Sequence, residues 1–236
     1  MAQFLWVILP YLCLMVMIVG SIYRYTYGQI GWTSKSSEIL EKSFLRYGSI
    51  LFHYGMFAVI GGHIMGLLVP LRFYHAVGVP DEVYHMVAVY AGGVAGFVTL
   101  VGVVLLLIRR IVNKRVRKHS SPSDYVALIL LTIVIALGEF MTVIYSSIHG
   151  PYEYRATVAP WFRDIFVLHP NASLMLHVPL VLQIHVVAAW LLFASIPFTR
   201  LVHIYSAPWR YPTRAPIQFR SRTRYTRKVY DNKVGQ

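Results

Sequence analysis

Cysteine is almost absent from this sequence. Its 236 residues include a single one, Cys13, set inside an apolar run. One thiol can neither close an internal disulfide nor hold an iron–sulfur cluster, which takes about four. Any redox or metal centre must therefore use other side chains. Acids are scarce as well, with nine Asp and Glu against 22 Lys and Arg. Charged residues make up only 13%, roughly half the usual ≈ 25% of a soluble domain. What remains is 57% hydrophobic, with a mean hydropathy of +0.56. This is the composition of an integral membrane protein. The formal charge of +13 does not argue for nucleic acid, because basic residues gather in the cytoplasmic loops of such proteins.

A basic stretch ahead of the first apolar run is also missing. Residues 2–23 carry no charge before Arg24, whereas a signal peptide begins with positive charge. The run is expected to persist as a transmembrane helix, with Pro10 as a possible kink. Further spans are expected at about residues 47–71, 83–108, 124–147 and 177–206. Six Lys and Arg crowd residues 109–118, and eight more lie in residues 206–236 against one acid, Asp231. With the N-terminus outside, nineteen basic residues fall on the inner side and Arg72, Arg155 and Arg163 on the outer. That asymmetry follows the positive-inside pattern.

The predicted fold is thus all-α: a bundle of five transmembrane helices, N-terminus outside and C-terminus cytoplasmic. Residues 1–205 form the membrane domain and residues 206–236 a basic cytoplasmic tail for partner subunits. The outer segment 148–175, with Trp161 and several Tyr and Phe, suits an interfacial aromatic belt.

Histidine is plentiful by contrast, at ten. The fifth span carries His185 and His203, 18 residues apart. On an unbroken helix that is five turns, so both rings share one face roughly 27 Å apart at about 1.5 Å per residue. The second span carries His53 and His63. The two spans run in opposite directions, so His63 matches His185 in depth on the outer side, and His53 matches His203 on the inner side. Two depth-matched pairs read as bis-histidine ligation of two b-type haems. Zinc would need tetrahedral clustering that these spacings do not give. A proton relay would recruit several acids, and the span interiors offer only Glu139. One mismatch stands out: the 10 residues between His53 and His63 cover about 15 Å. Pro197 is the expected bend that lets the two spacings meet. His75, His119, His149 and His169 fall in loops, and His177 opens the fifth span.

At these residues the chain resembles the gamma subunit of respiratory nitrate reductase, the di-haem cytochrome b that anchors that complex. The matching stretches are RYTYGQ from Arg24, LFHYGMFAVIGGHIMG from Leu51, YAGGVAG from Tyr90, and PFTRLVHIYSAP from Pro197. The resemblance spans nearly the whole chain. It implies two haem b groups, with His63 and His185 on the outer iron and His53 and His203 on the inner one. It also implies quinol oxidation near the outer face of the cell membrane. Electrons would go to a cytoplasmic iron–sulfur beta subunit and a molybdenum-containing alpha subunit that reduces nitrate to nitrite. The family pattern has a lysine early in the third span where this chain has Tyr84, followed by His85. Quinol-site candidates are therefore Tyr84, His85, Glu139 and Gly62. Arg200 is the candidate partner of a haem propionate. The alternatives are a di-haem anchor of another quinone-linked enzyme, such as a hydrogenase, formate dehydrogenase or sulfur-compound reductase, or a non-redox membrane protein.

Overall fold

The computed structural model describes residues 2–28, 31–34 and 36–206; the basic tail beyond Ser206 lies outside the described residues. Five helices are long and apolar enough to cross a membrane: α1 (Phe4–Tyr27), α2 (Ser43–Leu68), α3 (Asp81–Val112), α4 (Pro122–His149) and α5 (Leu180–Phe198). Apolar side chains such as Met15, Val19, Ile22, Phe57, Val94 and Phe97 point outward. In water this would be an aggregation surface, but in a bilayer it is the lipid-facing belt.

The packing order is not the chain order. Helix α1 packs on α5, α5 on α4, α4 on α3, and α3 on α2. Close approach of α2 and α3 depends on glycine. A Cβ on Gly102 would meet the backbone of Phe52, and one on Gly55 would meet Thr99. Without a hydrophobic drive between helices inside lipid, such backbone contact carries much of their association. Gly93 likewise admits Val143 of α4, and Gly96 admits the Glu139 carboxyl. Both glycines of this stretch thus serve as a packing face for α4.

Two expectations need correction. Residues 148–175 are not a plain interfacial loop. They fold back as the helix Val158–Phe166, whose Val158, Trp161 and Ile165 are buried. Trp161 stands edge-on to Trp6 at 5.8 Å and donates its indole N–H to the Trp6 carbonyl at 2.8 Å. It is a core residue because its one polar group finds a partner inside. The second correction concerns the fifth helix, expected at about residues 177–206 with a bend at Pro197. It begins at Leu180 after Pro179 and stops at Phe198. Thr199 is extended, and a 3-10 turn, Arg200–Ser206, follows. Pro197 lacks an N–H and blocks the turn before it, so the break falls where a bend was expected. The geometry of an unbroken helix, on which His185 and His203 would share one face about 27 Å apart, therefore does not apply to them.

A broken helix inside a membrane leaves carbonyls that need donors. Arg24, at the end of α1, supplies them. Its Nη1 donates to the Pro197 carbonyl at 2.7 Å and to the Thr199 carbonyl at 2.6 Å, and its Nη2 donates to Gly31 at 2.7 Å. Gly20 of α1 lets the proline ring approach, since a Cβ there would stand 2.8 Å from Pro197 Cγ.

Gly102→Leu therefore cannot be accommodated without separating α2 from α3. It is expected to cost at least the 1–3 kcal/mol typical of overpacking, read as a lower thermal midpoint in detergent. Gly61→Ala, with nothing within 4 Å of the added carbon, is expected to leave the midpoint unchanged.

Candidate functional site

Helices α2 and α5 are not neighbours in the packing order, yet their histidines face each other. The His63 and His185 rings have centroids 6.3 Å apart and planes 29° apart. The His53 and His203 rings stand 6.2 Å apart with planes at 59°. Each ring is fixed by the same device. Nδ1 of His53 donates to Ser49 O at 2.7 Å, that of His63 to Val59 O at 2.8 Å, that of His185 to Val134 O at 3.0 Å, and that of His203 to Arg200 O at 2.6 Å. A carbonyl only accepts, so the proton sits on Nδ1 in all four. Each Nε2 is left with a lone pair, the form in which imidazole binds a metal.

The spacing has a chemical meaning. Imidazole nitrogens bind metals at about 2.0–2.1 Å, and adding a ring radius of about 1.2 Å on each side gives centroids about 6.4 Å apart. Both pairs match that figure. Among the described residues no group of three or more His, Cys, Asp or Glu gathers to hold a metal. Each pair therefore suits a metal that brings its other ligands with it, as a porphyrin iron does. Next to His63 on α2, a Cβ added at Gly62 would meet nothing within 4 Å. Gly138 of α4 lies against the His185 ring, and a Cβ there would stand 3.1 Å from His185 Cε1. Helix α2 widens into a π-turn, Ile64–Leu68, directly after His63, and α4 does so at Phe140–Tyr145, directly after Glu139. Such bulges recur at functional sites.

The segment that carries His203 is anchored by charge. Asp124 is buried, and accepts from Arg200 Nε at 2.5 Å and Arg110 Nη1 at 3.1 Å. Its carboxylate also accepts the Ser121 N–H in a capping box. Arg200 Nη1 donates to Ser34 O at 2.8 Å, and the Arg200 carbonyl holds His203. A haem propionate reaching Arg200 would share it with Asp124. Nearby, Arg109 ties the 37–41 turn to α3 through Ser37 and Glu41. Burial pushes the Glu41 carboxyl up, but hydrogen bonds from Arg109 and two backbone amides outweigh this and hold it below its ordinary value.

At the end of the bundle away from the basic 109–118 segment, Tyr84 and His85 sit under the 153–155 turn. The Tyr84 hydroxyl lies 2.7 Å from that of Tyr154, and His85 Nε2 lies 2.8 Å from Glu153 Oε2. The Arg155 guanidinium stacks 3.8 Å over the Tyr84 ring and binds Glu153 and Asp81. Tyr154 in turn packs on Gly66, three residues past His63. Glu139 rests its carboxyl on Gly96, and among the described residues no ion pair or hydrogen bond holds it. A charge at that depth is costly unless a bound group partners it.

The sequence reading did not single out Arg24, Asp124, Glu153 or Arg155. The Ser121-Pro-Ser-Asp124 helix start did signal a cap, but nothing local marks a loop arginine that will be wholly buried.

Fold and site together define a class: a multi-pass protein of the cell membrane whose bundle presents two facing imidazole pairs at two depths. The chain belongs to the nitrate reductase gamma subunit family, whose model matches residues 2–222. As a member it is a membrane subunit of an oxidoreductase complex, nitrate reductase. It is 46% identical over 221 residues to the nitrate reductase gamma chain of Bacillus subtilis, covering 94% of this chain and 99% of that one. It is 37% identical over 213 residues to the respiratory nitrate reductase 1 gamma chain of Escherichia coli, covering 90% and 94%. A more distant match, 25% identical over 167 residues, is the Hdr-like menaquinol oxidoreductase cytochrome b-like subunit of Archaeoglobus profundus, covering 70% and 48%.

Removing one partner of a buried ion pair typically costs about 3–5 kcal/mol. Asp124→Asn is expected to lower stability on that scale, measured by thermal unfolding in detergent. Lys42→Gln, which removes a pair to Glu38 that is exposed on both sides, is expected to change nothing measurable.

Proposed function

We propose that this chain is the quinol-oxidising cytochrome b subunit of a respiratory nitrate reductase. His63 and His185 hold an outer haem b, and His53 and His203 hold an inner one. The observation that carries the proposal is the pair of imidazole couples, each at the centroid spacing of two rings on one metal and each with Nδ1 already protonated. When bound, haem supplies one-electron chemistry at two depths. The printed name of the Archaeoglobus relative, a menaquinol oxidoreductase cytochrome b-like subunit, supports both the quinol and the haem.

In this reading the N-terminus is outside, and the quinol region lies at the outer end, with Gly62, Tyr84, His85 and Glu139 as its candidate residues. The residues from 1 to 205 are the di-haem domain. Protons leave on the outer side, and electrons leave inward to an iron–sulfur beta subunit and a molybdenum-containing alpha subunit, where nitrate becomes nitrite. The inner face, with Arg115, Arg117 and Lys118 after α3 and the basic residues of the 206–236 tail, turns toward those subunits.

The test is to replace one ligand of each pair in the intact complex. His63→Ala is expected to remove one b-type haem from the reduced-minus-oxidised spectrum and to abolish quinol-driven nitrate reduction. His53→Ala is expected to remove the other. Nitrate reduction driven by a soluble viologen dye should persist in both. An unchanged haem content in either variant would sink the ligand assignment.

A further inference from the structure

The outer cluster contains a hydrogen-bonded pair with the form of a general base. His85 is mostly buried, and its Nε2 lies 2.8 Å from Glu153 Oε2, a distance at which the carboxylate accepts. Nε2 therefore carries the proton, and Nδ1 keeps its lone pair for a substrate. Glu153 is itself held. Arg155 reaches Oε1 through Nε at 2.8 Å and Oε2 through Nη2 at 2.6 Å. The Arg155 side chain has no exposure at all and is oriented by Asp81 at 2.9 Å and by the Tyr84 ring. Burial pushes the Glu153 carboxyl up, but Arg155 and His85 outweigh this and hold it below its ordinary value, so it stays an anion.

The position suits proton release from quinol. Gly66, three residues beyond His63, touches Tyr154, which bonds Tyr84, the neighbour of His85. The dyad thus sits at the outer rim of the outer histidine pair. The other charged and titratable groups around it are Tyr154 and Arg155 of the outer turn, Tyr74 and His75 of the short helix Leu71–Ala76, and Asp81 and Tyr84 of α3. Of these, His75 lies 3.3 Å from Asp81 and is half exposed, which gives the cluster a route to outer water. A histidine held between a fixed carboxylate and an open nitrogen is the arrangement by which a base is both oriented and made stronger.

We propose that His85 is the catalytic base that takes a hydroxyl proton from bound quinol, and that Glu153, fixed by Arg155, is its positioning residue. This rests on the quinol-oxidising reading above. One O–H proton passes to His85 Nδ1 and then to outer water, and the proton at the far end of the ring leaves to water directly; the two electrons leave one after the other, and the outer haem of that reading would accept them singly. The quinol becomes quinone.

The test uses the whole complex with a quinol donor across a range of pH. His85→Gln should lower the quinol-driven rate about 100-fold, within the usual general-base range, and flatten its acidic limb. Glu153→Gln should lower the plateau and move the acidic limb to lower pH, because the anion that favours the imidazolium is gone. The haem spectrum and viologen-driven nitrate reduction should stay as in the wild type, which reports intact folding. Wild-type rates in both variants, or reduced rates with an unshifted pH profile, would overturn the dyad. Failure of quinol to reduce any haem in the wild-type complex would instead overturn the parent reading.

Discussion

Each of the four paired histidines gives its Nδ1 proton to a backbone carbonyl, and that choice governs what the other ring nitrogen can do. Three of the carbonyls lie on the histidine's own helix or turn, three or four residues back. The fourth, Val134 O, belongs to α4. A ring fixed in tautomer and direction by backbone cannot swing away when its partner approaches. The backbone bonds hold the two rings of each pair facing one another. This also explains why two helices that do not pack on one another can be joined through their side chains: a group bound between the rings would close the gap between α2 and α5.

The His53–His203 pair depends on a helix that fails in a controlled way. Pro197 ends α5, Thr199 turns extended, and a tight 3-10 turn brings His203 to face His53. The break is tolerated because Arg24 supplies donors to the freed carbonyls and Asp124 fixes Arg200 on the other side. These charges lie toward the ends of the spans, where arginine and carboxylate can be hydrated or paired. The same residues that a topology count treats as loop charges thus hold a ligand-bearing segment in place.

Much of this was legible in the sequence. Five apolar runs gave the five spans, because length and hydropathy are local properties. Charge scarcity within those runs made His53, His63, His185 and His203 conspicuous, and opposite helix directions paired them by depth. Pro197 marked the bend. What was not legible depends on distant contacts. A rise per residue applies only within one helix, so the extended Thr199 and the 3-10 turn after it had no sequence signature. Trp161 looked interfacial because its hydrogen-bond partner, the Trp6 carbonyl, is 155 residues away. Glu153 and Arg155 looked like ordinary loop charges, and only the fold brings them onto Tyr84 and His85.

The most direct test of the bis-histidine reading is a haem count with a spin-state measurement on the purified complex. Pyridine haemochrome analysis should give two haem b per copy of this chain. Electron paramagnetic resonance of the oxidised protein should give two low-spin signals of the kind expected when both axial ligands are imidazole. One haem, or a high-spin iron with an open axial position in the wild-type complex, would contradict it.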